Sequence, residues 1–373
     1  MAKLNHSREF DLVLQGATGF TGRLAAQEIA RHADGDLRWA VSGRSAERVG
    51  ALAEELGIPG LVADGLDGAA TDQLASRTRV VISCAGPFAR YGDHLVDACA
   101  ANHTHYADLT GELPWISRVI KRHHQSCTDS GTAMIPCSGF DSVPTDIAVH
   151  AMARELERPA RIHGFFTIKG GLNGGTLHSG LALGEDGELK GEGVLPSKGK
   201  GVFPIPSLGR WGAPFLMAPV NEWIVARTNE LSSQDGSSEH FKYTEHLSNR
   251  GRVKAYGMSA LLSVSNALLA SSAGRTLLRT LGPKPGQGPS EKSIKSGFAR
   301  LVLVAGDLAN PTLTRQWDWS GDPSNLITVR CLVQTGLALA AGEARRGGVL
   351  TPVAAFGSRL EQRLVGISAT QVS

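Results

Sequence analysis

The sequence predicts an α/β protein, with an N-terminal Rossmann-type doubly wound parallel sheet followed by a second α+β domain. Three observations carry that prediction. Through the first 140 residues, short apolar runs alternate with longer amphipathic stretches, as successive β–α units do. A glycine-rich turn, GATGFTG at 16–22, follows the first apolar run directly. After Asp146 the alternation gives way to segments rich in Gly, Pro and charge.

Taken in order, FDLVLQ at 10–15 reads as a strand and 19–32 as the helix that follows it. The run 37–42 is a second strand and 46–56 a second helix. Residues 60–63 form a short third strand and VVISC at 80–84 a fourth. A helix over 93–102, a strand at 105–107, a long helix over 114–130 and a strand at 133–137 complete a six-stranded sheet. Beyond it, 161–169 reads as a strand and 184–219 as irregular connection. Residues 300–305, 314–319 and 327–331 resemble antiparallel strands, and 333–345 a helix. An amphipathic helix over 352–365 closes the chain and is expected to dock back on the first domain. The expected units are therefore 1–145, 146–345 and 346–373.

Composition narrows the function. Forty-two per cent hydrophobic residues with 20% charged is globular, and excludes wholesale disorder. A net charge of +3 exerts no bulk pull on nucleic acid. Five cysteines without a CxxC pair argue against a zinc ribbon or a disulfide framework and for a reducing compartment. The first residues, MAKLNHSREF, lack the apolar core of a secretory signal, so a cytoplasmic protein is expected. No histidine pair has metal spacing, and no metal is expected. One run stands apart: 255–274 carries no charge over twenty residues, bracketed by Lys254 and Arg275. Its length suits a bilayer span, but five serines and Asn266 favour a buried or amphipathic helix. A helix at a membrane surface, or one lining an acyl channel, is the alternative.

The turn Gly16, Ala17, Thr18, Gly19, Phe20, Thr21, Gly22 lies between a strand and a helix. There Gly16 permits a tight bend, Gly19 lets the backbone approach a pyrophosphate, and Gly22 allows close helix-to-strand packing. The helix N-terminus offers free N–H groups to the phosphates. Dinucleotide binding is the expectation. Past the second strand the chain reads Ser42, Gly43, Arg44, Ser45, with no carboxylate for a ribose 2′-hydroxyl. Arg44 can fork onto a 2′-phosphate, aided by a serine hydroxyl, so NADP is preferred to NAD. Asp64 is a candidate for the adenine edge. Cys84, Ala85, Gly86, Pro87 and Phe88 follow the fourth strand and are expected to pass the nicotinamide side, with Cys84 a packing residue rather than a nucleophile.

GATGFTG, SGR, CAGPF, HYADLTGE and PCSGFDSVPTD, in that order, resemble the saccharopine dehydrogenase-like oxidoreductases. More narrowly, they resemble the trans-acting enoyl reductase branch of mycobacteria and other actinobacteria. GGLNGGT at 170–176, PKPGQGPSE at 283–291 and GGVLTP at 347–352 extend the likeness over nearly the whole chain. The family's Asp-Pro-Gly-Tyr appears here as Asp322, Pro323, Ser324 and Asn325, so any contact of the missing tyrosine is lost. The resemblance implies an NADPH-dependent reductase acting on a lipid or polyketide thioester, with a polyketide synthase or acyl carrier as partner. Reduction of an amino-acid imine is a second reading, and a non-catalytic cofactor-binding protein on membranes or lipid bodies a third.

Enoyl reduction needs a hydride, stabilisation of the developing enolate and a proton. The resemblance directs attention to HYADLTGE and CSGFDS, and the candidates there are Tyr106, Asp108 and Asp141. Each has a structural alternative: Tyr106 or its neighbour His105 must face a core, Asp108 with Glu112 can be a surface pair, and Asp141 can cap a helix.

Overall fold

The structure, a computed structural model of the chain, describes residues 8–33, 35–157, 160–171, 173–187, 201–234, 241–284, 286–364 and 368–371. The chain opens with β1 Phe10–Gln15, α1 Phe20–His32, β2 Trp39–Gly43, α2 Ala46–Leu56, β3 Gly60–Val62, α3 Gly68–Arg77 and β4 Thr78–Ser83. Next come α4 Phe88–Tyr91, α5 Asp93–Ala101, β5 His105–Asp108, α6 Leu113–Ser130 and β6 Ala133–Ile135. Helix α7, Val143–Ala153, leads to β7 Arg161–Lys169, α8 Gly174–Glu185, β8 Phe203–Ile205, β9 Arg210–Ala213, α9 Ala218–Gln234 and β10 Lys242–Asn249. Then follow α10 Arg252–Ala270, α11 Ser272–Leu281, α12 Glu291–Ser296, β11 Phe298–Gly306 and β12 Pro311–Ser320. The last elements are α13 Thr328–Ala340, β13 Gly348–Val349, α14 Pro352–Phe356, α15 Arg359–Arg363 and β14 Ser368–Gln371.

The first sheet has the order β13-β6-β5-β4-β1-β2-β3, with every pair parallel. The chain moves outward from β1 through β2 and β3, then restarts on the other side at β4. The crevice above the carboxyl ends of β1 and β4 is therefore the switch point at which ligands bind in such sheets. Its strands are fully buried at Leu12, Val13, Val80 and Val81, as expected where helices cover both faces.

A seventh strand, β13, joins this sheet from near the end of the chain, where six strands were expected. Helix α13 also packs on it, and a Cβ at Gly336 would stand 2.6 Å from Ile82. Helix α13 and strand β13 thus serve the first sheet, whereas the expected boundary at 345 groups α13 with the second domain. The strand expected at 327–331 is a correction: Pro323–Ile327 is a π-helical turn and Thr328 begins α13. Its β-branched residues read as strand, but burial on nearly every side of α13 outweighs propensity. The single closing helix expected over 352–365 is two short helices, broken at Gly357, whose φ of +60° lies in the left-handed region. Residue 365 lies outside the described residues.

The second sheet is mixed, ordered β14-β12-β11-β7-β10-β9-β8, with β7 and β10 parallel and its other pairs antiparallel. One face, carrying Ile162, Phe166, Leu301 and Leu303, shares a continuous core with Leu12, Val41 and Ile147, which joins the two layers. The stretch read as irregular, 184–219, holds the end of α8, β8, β9 and the start of α9; residues 188–200 lie outside the described residues.

Between α7, α9 and β10 lies a buried carboxyl group. Glu245 accepts hydrogen bonds from Tyr243 Oη (2.6 Å), Asn221 Nδ2 (2.6 Å) and Thr145 Oγ1 (2.9 Å). Burial pushes its pKa up to about 8, and Glu222 adds to the rise. A raised carboxyl pKa means that folding favours the protonated form. Stability from this site is therefore full below about pH 4.5 and declines as pH rises toward 8. Glu245→Gln is expected to flatten that slope in melting temperature against pH. An unchanged slope would place the titration elsewhere.

Candidate functional site

The first loop at the switch point is GATGFTG. Gly16 has φ +77°, and a Cβ there would lie 2.9 Å from Ala85 N, so this loop and CAGPF touch backbone to backbone. A Cβ at Gly22 would come within 2.1 Å of Gly16 O and 2.8 Å of Ala17 Cα. Gly22 therefore lets α1 start directly against the turn. Gly19 differs: a Cβ there would meet only Gly16 O, at 3.4 Å, so the space over the turn is open for a ligand. The main-chain N–H groups of Thr18, Phe20 and Thr21 find no backbone acceptor among the described residues and sit at the positive end of α1. This open cradle of free donors fits a pyrophosphate.

The other predicted cofactor residues divide into those left free and those already engaged. Arg44 is exposed and has no hydrogen-bond or ion-pair partner among the described residues. Ser42 is fully buried, and its Oγ has no hydrogen-bond partner among the described residues. Ser45 caps α2, its Oγ accepting from Arg48 N at 3.4 Å. Gly43 packs against Val49 and Thr18. Ala17 is buried and donates to Ser42 O at 3.0 Å. Asp64 is half-buried and accepts from Leu66 N at 3.1 Å, a local turn contact. The ring of Phe20 lies where a side chain at Gly288 would fall, so the 286–290 segment packs against Phe20. The sequence reading missed Arg48, whose Nη2 donates to Thr18 O at 2.7 Å and holds the turn. Its position one helical turn after Arg44 is the signal that finds it.

In CAGPF, burial and the nearby Asp108 push the half-buried Cys84 thiol up to about 12, which leaves it un-ionised and inert. Ala85 N donates to Ser83 Oγ at 3.3 Å. Gly86 is exposed, and the Gly86–Pro87 peptide is cis. A Cβ at Gly86 would lie 3.6 Å from Ser179 Oγ, which brings α8 over this loop. Phe88 is core, its ring centroid 5.7 Å from that of Trp115.

The third part of the site lies at the ends of β5 and β6. Tyr106 is buried and donates through Oη to Asp108 Oδ2 at 2.9 Å. Asp108 Oδ1 accepts from Thr110 N (2.9 Å) and Cys137 N (3.1 Å), which pins the β5 and β6 loops together. Burial pushes Asp108 up to about 7 against those donors, and Glu112 adds its charge. Tyr106 and Asp108 are thus fully occupied with each other and with the backbone. The surface pair considered for Asp108 and Glu112 is corrected, because both are buried. Glu112 accepts from Phe88 N (3.0 Å) and Ala89 N (2.7 Å) and so anchors CAGPF, a role without a sequence signal. His105 Nδ1 accepts from Ala133 N at 3.0 Å, and burial lowers its pKa to about 4.

Asp141 stands apart. The residue at the cap of α7 is Ser142, so Asp141 does not serve as one. It is half-buried, its carboxyl finds no hydrogen-bond partner among the described residues, and burial pushes its pKa up to about 6. A carboxyl left free and kept partly protonated near neutrality is poised for proton transfer. Asn325, in place of the family's tyrosine, is buried. Its Nδ2 donates to Asp322 Oδ1 (2.9 Å) and Gly171 O (3.1 Å), and its Oδ1 accepts from Asn173 (2.9 Å). That position is a clasp for the loop before α8.

Residues 12–135 match the saccharopine dehydrogenase NADP binding domain. Along nearly its full length the chain is similar to a Mycobacterium tuberculosis protein provisionally named a trans-acting enoyl reductase, 36% identical over 96% of both chains. It is likewise similar to the trans-acting enoyl reductase of Mycobacterium ulcerans, 32% identical over 98% of this chain and 99% of that one. The fold matches the solved saccharopine dehydrogenase (L-Glu forming) of Saccharomyces cerevisiae with a TM-score of 0.60 at 12% identity, covering 97% of this chain and 99% of that one.

Proposed function

The chain belongs to the saccharopine dehydrogenase-like oxidoreductases, in the trans-acting enoyl reductase branch, and from that premise we propose that it reduces the carbon–carbon double bond of an enoyl thioester with NADPH. The observation that carries this reading is the open glycine turn after β1, with an unpaired Arg44 after β2 and the free carboxyl of Asp141 after β6, all at the carboxyl edge of one parallel sheet. Free amides at the start of α1 hold the pyrophosphate, and Arg44 takes the 2′-phosphate. When bound, NADPH supplies the hydride. Asp141, partly protonated because burial raises its pKa to about 6, delivers a proton to the α-carbon or enolate oxygen. Tyr106 and Asp108 act through the backbone at Cys137, positioning the loop that carries Asp141.

The substrate in this reading is an acyl chain presented by a polyketide synthase or acyl carrier, met in the cytoplasm or at a membrane surface. Imine reduction would require free arginines for substrate carboxylates. Arg227 instead pairs with Glu230 at 2.8 Å, and Arg154 lies 3.9 Å from Glu361. Arg210 on the second sheet donates to Thr167 and Ser248, whereas Arg161 and Arg250 have no ion-pair partner among the described residues, so the arginines alone do not decide between the two reactions.

Purified protein is expected to oxidise NADPH with long-chain 2-enoyl thioesters. Oxidation only with a keto acid plus an amino acid would replace this reading with imine reduction, and coenzyme binding without turnover on either panel would leave a binding protein. Arg44→Ala is expected to cut the preference for NADPH over NADH by about tenfold to a hundredfold, the worth of a charge-assisted hydrogen bond. A variant that keeps its preference would remove Arg44 from the site.

A further inference from the structure

We propose that α10 seats this protein on a bilayer containing anionic phospholipid, with a lipid phosphate held in a cationic cavity beside the helix N-terminus. The inference deepens the membrane part of the proposed function and does not depend on the reaction chosen. The uncharged run 255–274, expected as a buried or amphipathic helix with a membrane-surface helix as the alternative, runs through α10, in which Ala255 is the one buried residue. At about 100° per residue, Val253, Tyr256, Ala260, Val264 and Ala267 fall along one stripe, with Leu261 at its edge. Val253 is 87% exposed, Leu261 59%, Val264 56% and Tyr256 50%. Leu277 and Leu281 on α11 are exposed as well. Contiguous apolar surface of this kind marks an interaction site.

Charge decides which partner it fits. From His246 to Ser290 there is no Asp or Glu, but there are six Lys and Arg residues. A cavity of about 440 Å³ opens on the second sheet, its lining including Arg210, Arg250, Lys254 and Arg300, the carboxylate of Asp318 and the hydroxyls of Thr167 and Ser248. Arg300 is paired with Asp318 at 2.6 Å. Arg210 donates to both hydroxyls at 3.2 Å, and its pKa is lowered by burial and then by Arg250 and Arg300. Arg250 and Lys254 have no acidic partner among the described residues. Several converging cations with hydroxyl groups suit a phosphate diester. The cavity and the stripe meet at the start of α10, where Lys254 of the first follows Val253 of the second in sequence. Arg252 lies over the rings of Trp211 and Tyr256, 5.6 Å from each centroid.

An exposed apolar helix face flanked by cations is the composition of a helix lying in the membrane interface. No helix among the described residues is long and apolar enough to cross a membrane. An acidic carrier protein would match the cations but leave the stripe in water, and a second copy would cover the stripe while bringing like charges together. Anionic lipid satisfies both features.

The test is flotation of the full chain with phosphatidylcholine vesicles, with and without phosphatidylglycerol. Flotation is expected only with phosphatidylglycerol and is expected to weaken as salt rises. Val264→Glu, and separately the pair Arg250→Glu and Lys254→Glu, should each lower partitioning about tenfold or more, with melting temperature unchanged. Equal flotation on neutral vesicles, no flotation, or variants that float like the parent would each overturn the proposal. So would a dimer in sedimentation equilibrium that Val264→Glu dissociates, or an acidic carrier domain that displaces the protein from vesicles. None of these readouts uses the coenzyme, so a failed enoyl assay leaves the outcome independent.

Discussion

Gly22→Ala is expected to reduce NADPH affinity by on the order of a hundredfold or more and to lower the melting temperature. The added Cβ would sit 2.1 Å from Gly16 O and 2.8 Å from Ala17 Cα, and neither is the movable end of a side chain. Relief requires either opening the turn, which scatters the N–H groups that face the phosphates, or pushing α1 away from β1. Such overpacking costs about 1–3 kcal/mol or more, and it falls on the geometry the ligand needs. Gly19→Ala is the informative companion. Gly19 has φ −77° and ψ 171°, which alanine adopts freely, and its Cβ would meet only Gly16 O at 3.4 Å. The fold should therefore tolerate it with little change in melting temperature, while the methyl occupies the space above the turn and weakens coenzyme binding. Calorimetric titration of both variants, with thermal melts alongside, separates clash within the protein from clash with the ligand. If Gly19→Ala binds NADPH as the parent does, the turn is not the pyrophosphate cradle.

That turn was legible because its chemistry is local. A strand, three glycines and a helix start within a dozen residues, and Gly16, Gly19 and Gly22 each need a reason that short-range sterics supply. The same holds for the parallel strands, whose apolar runs are buried on both faces. What could not be read depends on distant chain. Strand β13 completes the first sheet from more than two hundred residues beyond β6, and two residues carry no periodicity. The first turn of α13 reads as strand because Ile327, Thr328 and Val329 are β-branched, and contact with β1, β4 and α1 makes helix the better state there. Ser42 and Ser45 look alike as ligand donors in sequence, yet one hydroxyl is buried and the other caps α2. Glu112 was invisible as an anchor, since its partners Phe88 N and Ala89 N are backbone groups on another loop. For α10, composition leaves open whether the helix is buried or amphipathic, and only the structure shows that its apolar side chains are exposed.

Asp141→Asn is expected to lower kcat by about 10²–10⁴-fold with KM little changed, the usual loss when a general acid is removed. Asparagine keeps the shape and can still donate a hydrogen bond, but it has no proton to transfer. The pH profile gives a second reading of the same role. With its pKa pushed up to about 6 by burial, Asp141 is protonated below that value and ionised above it. Parental kcat should therefore fall as pH rises through about 6, and the low residual rate of the variant should show no such step. Asp108→Asn separates proton transfer from support. Asp108 accepts from Tyr106 Oη, Thr110 N and Cys137 N, so an amide nitrogen in its place would face a donor inside a buried cluster. That variant should lose melting temperature together with kcat, whereas Asp141→Asn should lose kcat alone, because no partner among the described residues depends on its carboxyl. If Asp141→Asn retained full activity while Asp108→Asn abolished it without loss of stability, the proton would have to come from Asp108, and the loop between β6 and α7 would be scaffolding.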